Sequence, residues 1–145
     1  MTDVSSQTTT IEQTVRIAAA PETVWAFWTE PRRLAEWWGA GAEVLAEPGG
    51  VYRVAMESGP VMRGTFIELD PPGRLVFSFG WEGNGPGEPL APGSTRVEVT
   101  LTPDGDDTVL VLRHSGLPPA AAGEHGEGWR HFLADRLVAA AGRQG

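Results

Sequence analysis

Polar and apolar positions change period three times along the chain, and the changes divide it into elements. Ile11, Gln13, Val15 and Ile17 share one face of a partly alternating stretch, which predicts a first strand. In "AAPETVWAFW" the spacing becomes helical. Pro21 suits a first turn, Glu22 favours the positive end of the helix dipole, and Val24, Phe27 and Trp28 fall on one side with Trp25 at its edge. Pro31 ends that helix. "RRLAEWW" predicts a second short helix, stopped by Gly39 and Gly41.

Period two then returns for six more strands: "AEVLAE", "VYRVAME", "VMRGTFIELD", "RLVFSFGW", "STRVEVTLT" and "TVLVLRHSG". Leu75, Phe77, Phe79 and Trp81 share one face; so do Val97, Val99 and Leu101, and so do Leu110, Leu112 and His114. Glu98 and Arg96 fall opposite Val97, on the solvated side, and Arg53 and Arg63 face inward only if the register slips by one. "PDGDD" is a hairpin turn. The final segment is helical, with Trp129, Phe132, Leu133, Leu137 and Ala140 in one stripe, Pro118-Pro119 at its start and Gly142 at its end. A curved antiparallel sheet with an aromatic face needs a cover, and that helix is the one long amphipathic element left to provide it. The fold class is α+β: one strand, two short helices, six strands, one long helix.

Composition narrows the picture. With 145 residues, 41% of them hydrophobic, the chain is one domain, expected over 9–142 with short tails at 1–8 and 143–145. The net charge of −8 argues against nucleic acid and against an anionic membrane surface as partners. All 11 basic residues are Arg, so no lysine can form a Schiff base, and without Cys there is no thiol nucleophile or thiolate metal site. Neither a signal-peptide pattern nor an 18-residue apolar run occurs, so a cytoplasmic location is the expectation. No phosphate-binding or dinucleotide fingerprint is present, and no cofactor is expected.

The segments "AAPETVWAFWTEPRRLAEWWG", "EPGGVYRV", "GTFIELDPPGRLVFSF", "RVEVTLTP" and "LVLRHSGLPPAAAGEHGEGWRHFLADRL", in that order, resemble the activator of heat-shock-protein-90 ATPase homologue family of the START-like (SRPBCC, Bet v-like) superfamily. The resemblance runs from about Thr10 to Ala141. It implies a helix-grip fold with a deep cavity between sheet and terminal helix that binds a hydrophobic or amphipathic small molecule. Some superfamily relatives are polyketide cyclases or dehydratases. The chaperone activator itself carries an additional domain and a chaperone-contacting motif, for which this chain has no room.

Three functions compete on this reading: a binding module for a hydrophobic small molecule, a cyclase- or dehydratase-like enzyme in the same cavity, and a protein-interaction module. The expected cavity wall is Trp38, Met56, Phe66, Phe77, Phe79 and Trp81 from the sheet side, with Met62 beside them. Leu112 and His114 come from the last strand, and Trp129, Phe132 and Leu133 from the helix. Each of these residues also suits an ordinary core. An ordinary ligand pocket takes about 300 Å³ or more, and without a cavity above that size both pocket hypotheses fail. His114 is either a structural histidine or the polar group that orients a ligand or acts as general base.

In "AEWWGAGAEV", Trp37 and Trp38 point about 100° apart on a helix, so one is expected in the core and the other at the cavity mouth; an interaction module would expose them instead. His125 and His131, six apart, diverge by about 120° and cannot chelate one ion, whereas Glu127 and His131 are spaced to pair. Gly126 and Gly128 weaken the helix by about 1 kcal/mol each, which close approach to the sheet or the cavity would explain. The Gly/Pro loop 82–93 is a candidate lid. Exposed sheet edges allow a monomer or a homodimer.

Overall fold

The period-two segments form one seven-stranded antiparallel sheet in the computed structural model, which describes residues 8–83 and 90–142. The strands are β1 (Thr9–Ile17), β2 (Gly41–Val44), β3 (Val51–Ala55), β4 (Val61–Asp70), β5 (Arg74–Phe79), β6 (Thr95–Asp104) and β7 (Asp107–Leu117). Their spatial order is β1-β7-β6-β5-β4-β3-β2, so every neighbour except β1–β7 is joined by a hairpin. Helices α1 (Pro21–Thr29) and α2 (Pro31–Leu34) connect the two edge strands. The terminal helix covers the sheet as α3 (Pro119–Arg130), a π-helical stretch His131–Leu137, and α4 (Val138–Gly142). This is the helix-grip arrangement.

The register puts the expected faces inside. Leu75, Phe77 and Phe79 on β5, Val97, Val99 and Leu101 on β6, and Leu110, Leu112 and His114 on β7 are all buried. Cross-strand pairing aligns them in rows, as in Phe66 opposite Phe77, Phe77 opposite Val97, and Val97 opposite His114. Arg53 and Arg63 lie on the other face, where both guanidinium groups bind the Glu82 carboxylate at 2.8 and 3.2 Å. Glu98 is not simply solvated: together with Glu68 it binds Arg74, an ion-pair bridge on the outer face.

Two features depart from the pattern. Helix α2 ends at Leu34, not after Trp38, because the Leu34 carbonyl takes the N–H groups of Trp37, Trp38 and Gly39 in one tight turn. The second departure is the π-helical stretch. Buried positions on the terminal helix recur every four residues: Ala121, His125, Trp129, Leu133, Leu137 and Ala141. At 3.6 residues per turn such a stripe drifts by about 40° per step and would leave the sheet. The wider π-helical winding cancels that drift and keeps Leu133 and Leu137 over the core.

Gly39 answers why a glycine follows the two tryptophans. A Cβ there would lie 2.5 Å from Val54 Cγ1 and 2.6 Å from the Ala55 carbonyl, so any other residue would push the turn off β3. Among the described residues no helix is long and apolar enough to cross a membrane.

Candidate functional site

Helix α1 ends with unpaired carbonyls, as every helix does. Pro31 has no N–H for the Phe27 carbonyl four residues back, and the Trp37 indole fills the position, donating Nε1–H at 2.7 Å. The next carbonyl, of Trp28, accepts the Tyr52 hydroxyl at 2.5 Å. Burial raises the Tyr52 phenol pKa well above its usual value and keeps it a donor. Trp37 is therefore the core member of the pair, locked by a helix end. Trp38 stacks on it at 5.4 Å and 21°, which the turn after Leu34 permits and a helix would not. Both are buried, so the pair is not an exposed patch.

Trp38 continues outward to Trp129 on α3 at 5.2 Å, Trp129 to Phe79 at 5.9 Å, and Phe79 to Trp81 at 5.4 Å. This chain of rings bounds one cavity of about 160 Å³, between the β3–β4 turn, the end of β5 and helix α3. Trp38, Met56, Phe79, Trp81, His125 and Trp129 form its buried floor. Ser58, Pro60, Glu124, Gly128 and Phe132 form its rim, where Ser58 and Glu124 are exposed.

Six of the eleven residues expected on the wall meet there: Trp38, Met56, Phe79, Trp81, Trp129 and Phe132. Phe66, Phe77, Leu112, His114 and Leu133 are buried beneath it in the packed core, with Met62. The cavity is also about half the required minimum, so the expected deep pocket enclosing a whole small molecule, for binding or for catalysis, is not met. One helix does not fill the curved sheet alone, but Trp28, Trp37, Trp38 and Trp129, with neighbouring rings 4.7–6.2 Å apart, fill most of the remaining space.

Sequence reasoning missed His125 and Glu124 on α3, and Ser58 and Pro60 in the β3–β4 turn; Gly128, expected against the sheet or the cavity, lines the cavity. The period-four stripe through Ala121, His125 and Trp129 is the signal that points to His125. Close approach to the sheet explains neither glycine, and the cavity accounts for Gly128 alone. A Cβ on Gly126 would meet Ile11 at an ordinary 3.9 Å, and one on Gly128 would meet nothing within 4 Å. His131 does not pair with Glu127; its Nδ1 lies 3.3 Å from Asp135, four residues onward. Of the proposed lid, residues 84–89 lie outside the described residues; its flanks close as Trp81 N–H donates to the Leu90 carbonyl at 2.8 Å.

Both inner histidines have fixed tautomers. The Ala121 carbonyl can only accept, so His125 Nδ1 carries the proton and donates at 2.8 Å. His125 Nε2 then accepts the Trp81 indole N–H at 3.0 Å. In His114 the order is reversed. Nδ1 accepts the Trp129 indole at 3.0 Å, Nε2–H donates to Thr95 Oγ1 at 2.8 Å, and the Thr95 hydroxyl donates to the Phe79 carbonyl. Burial, and secondarily the neighbouring His125, lowers the His114 pKa to about 3. An imidazole this weakly basic, with both nitrogens bonded, is a poor general base at neutral pH. Each histidine instead holds one tryptophan of the wall. Trp28 Nε1 is the one buried side-chain nitrogen or oxygen without a partner among the described residues. No group of three or more His, Asp or Glu is placed to hold a metal among them either.

A curved antiparallel sheet gripping a terminal helix over a ring-lined cavity defines a START-like domain of the helix-grip class. The family model described as Activator of Hsp90 ATPase homolog 1-like protein matches residues 18–142, and the chain belongs to that family. The solution structure of the AHSA1-like protein RHE_CH02687 from Rhizobium etli is 39% identical, with a TM-score of 0.75 over 98% of this chain and 87% of that one. CalU16 from Micromonospora echinospora is 28% identical with a TM-score of 0.71, over 89% of this chain and 71% of that one. DynU16, from the dynemicin biosynthetic locus, is 26% identical with a TM-score of 0.74; the match covers 92% of this chain but only 46% of DynU16. An HSP90 activator from Plasmodium falciparum, 22% identical over 87% of this chain and 91% of that one, shares the fold at a TM-score of 0.69. No curated protein matches the chain.

Proposed function

We propose that this domain is a binding module for a small apolar molecule, one ring or a short branched chain of which enters the cavity. The observation that carries the reading is the cavity itself, about 160 Å³ with a floor of tryptophan, phenylalanine and methionine. A dry cavity of about 150 Å³ is enough to hold benzene. It is too small for a whole drug-sized ligand, so a larger molecule would leave its remainder at the rim beside Ser58 and Glu124.

The enzyme alternative relied on His114, and the saturated, weakly basic state of that imidazole argues against it. The interaction alternative relied on an exposed Trp37–Trp38 patch, and both side chains are buried. Binding therefore has the stronger support. Mass spectrometry of the chain purified without added ligand, first native and then denatured, tests it together with a titration of single-ring compounds. A retained apolar mass, or saturable binding of a ring with perturbed Trp81 and Trp129 indole signals, is the expected result. A bare chain that also binds no ring-sized compound would refute the reading.

A further inference from the structure

The walls of the cavity say what charge its ligand carries. Five aromatic rings line it, and they are mutually inclined: Phe79 to Trp81 by 83°, Phe79 to Trp129 by 51°, and Trp38 to Trp129 by 45°. Aromatic walls attract a cation wherever a ring presents its face and offer an anion little. His125 has both ring nitrogens engaged, Nδ1 with the Ala121 carbonyl and Nε2 with the Trp81 indole, and so offers an anion no free donor. Among the described residues that line it, the only charged side chain is the Glu124 carboxylate, exposed at the rim. None of them is an arginine; Arg53 and Arg63, on the outer face of the same strands, are both engaged by Glu82. Arg130 is exposed on α3 and is not part of the wall.

We infer that the site selects a cationic amphiphile: an apolar ring or alkyl group in the cavity, with an alkylammonium among the rings and beside Glu124. A carboxylate, sulfonate or phosphate at the same end of a ligand would meet the Glu124 charge with only the neutral Ser58 hydroxyl to offset it. The inference rests on the binding reading above and adds the sign of the ligand's charge.

Three probes of similar shape separate the two: benzyltrimethylammonium, its neutral isostere neopentylbenzene, and benzylsulfonate. Each is titrated into the protein at about 0.15 M salt, which screens the overall negative charge, while the indole N–H signals of Trp81 and Trp129 are followed. The ammonium is expected to bind about tenfold more tightly than the sulfonate. Glu124→Gln is expected to weaken the ammonium about two- to fivefold, the range for an exposed ion pair, and to leave neopentylbenzene unchanged. Asp106→Asn removes the same charge from the exposed β6–β7 turn and is expected to change neither. Thermal melts of both variants check that the fold is kept. The inference is overturned if the sulfonate binds as tightly as the ammonium, or if Glu124→Gln and Asp106→Asn behave alike. If neopentylbenzene binds while either of these occurs, the cavity stands and only the charge assignment fails. If no probe binds, the binding reading fails with it.

Discussion

Two ends of the same aromatic stack are built from the same materials and come out differently. At the α1–α2 end, Trp28, Trp37 and Tyr52 close completely, with no exposed surface on any of the three. At the α3 end, Phe79, Trp81 and Trp129 leave about 160 Å³ open. The difference lies in what the polar edges of the rings reach. Trp37 and Tyr52 bond backbone carbonyls at the end of α1, which draws them onto the main chain. Trp81 and Trp129 bond imidazoles, which stand off from the backbone on their own side chains. A ring anchored to the main chain closes space, and one anchored to another side chain can line it.

The largest expected effect tests the closed end against the open one. Trp37→Ala should lower stability by about 3–5 kcal/mol, as buried aromatic truncations do, whereas Phe132→Ala at the half-exposed rim should cost no more than about 1.5 kcal/mol. Urea denaturation measures both, and equal losses would erase the distinction between the two ends.

Next comes pH. The unfolded chain binds a proton at His114 below about pH 6.5, and the folded chain does so only near pH 3. Between those values the unfolded state holds more protons, so stability falls as pH falls, by about 1.4 kcal/mol per pH unit. The loss should reach about 2 kcal/mol by pH 5. Denaturation midpoints in His114→Gln should lose this slope above pH 4.5. The lowered pKa of Glu82, held down chiefly by its hydrogen bond from Arg53, acts only below that range and leaves the slope above it intact.

A smaller effect separates the two indole groups of the closed end. Trp37→Phe leaves the Phe27 carbonyl unpaired and should cost about 1–3 kcal/mol beyond the lost area. Trp28→Phe removes a donor with no partner among the described residues and should cost less than Trp37→Phe in the same melts. Smallest are the glycines. Gly123→Ala and Gly128→Ala should each stabilise the helix by up to about 1 kcal/mol, since a Cβ at either meets nothing within 4 Å. Only Gly128→Ala places that Cβ in the cavity wall and should weaken binding of a single-ring compound.

The strand faces were legible because a buried face demands period two, and a slip of one residue would have exposed Phe77 and Phe79 together. The terminal helix was legible from its stripe, but not its π-helical winding, because the same apolar residues serve both windings until the sheet beneath requires one. On the cavity, the sequence separated ring-bearing positions from polar ones. It did not separate Trp38, Phe79 and Trp129, which line the space, from Phe66, Phe77 and Leu112, which lie under it. That distinction depends on depth, and depth has no period along a chain. Glu124 and Ser58 were missed because exposed polar residues look alike in sequence wherever they stand.

The sequence by itself determined the order of elements, the inward face of each strand and the stop at Pro31. These follow from covalent and local constraints: a missing N–H and alternation on a pleat. Only the tertiary structure decided which tryptophans close and which enclose, and that both nitrogens of each inner histidine are hydrogen-bonded. It also decided the size of the cavity, about 160 Å³. Those outcomes depend on contacts between residues tens of positions apart, as in Trp81 with His125, and on the volume left after all the rings are placed.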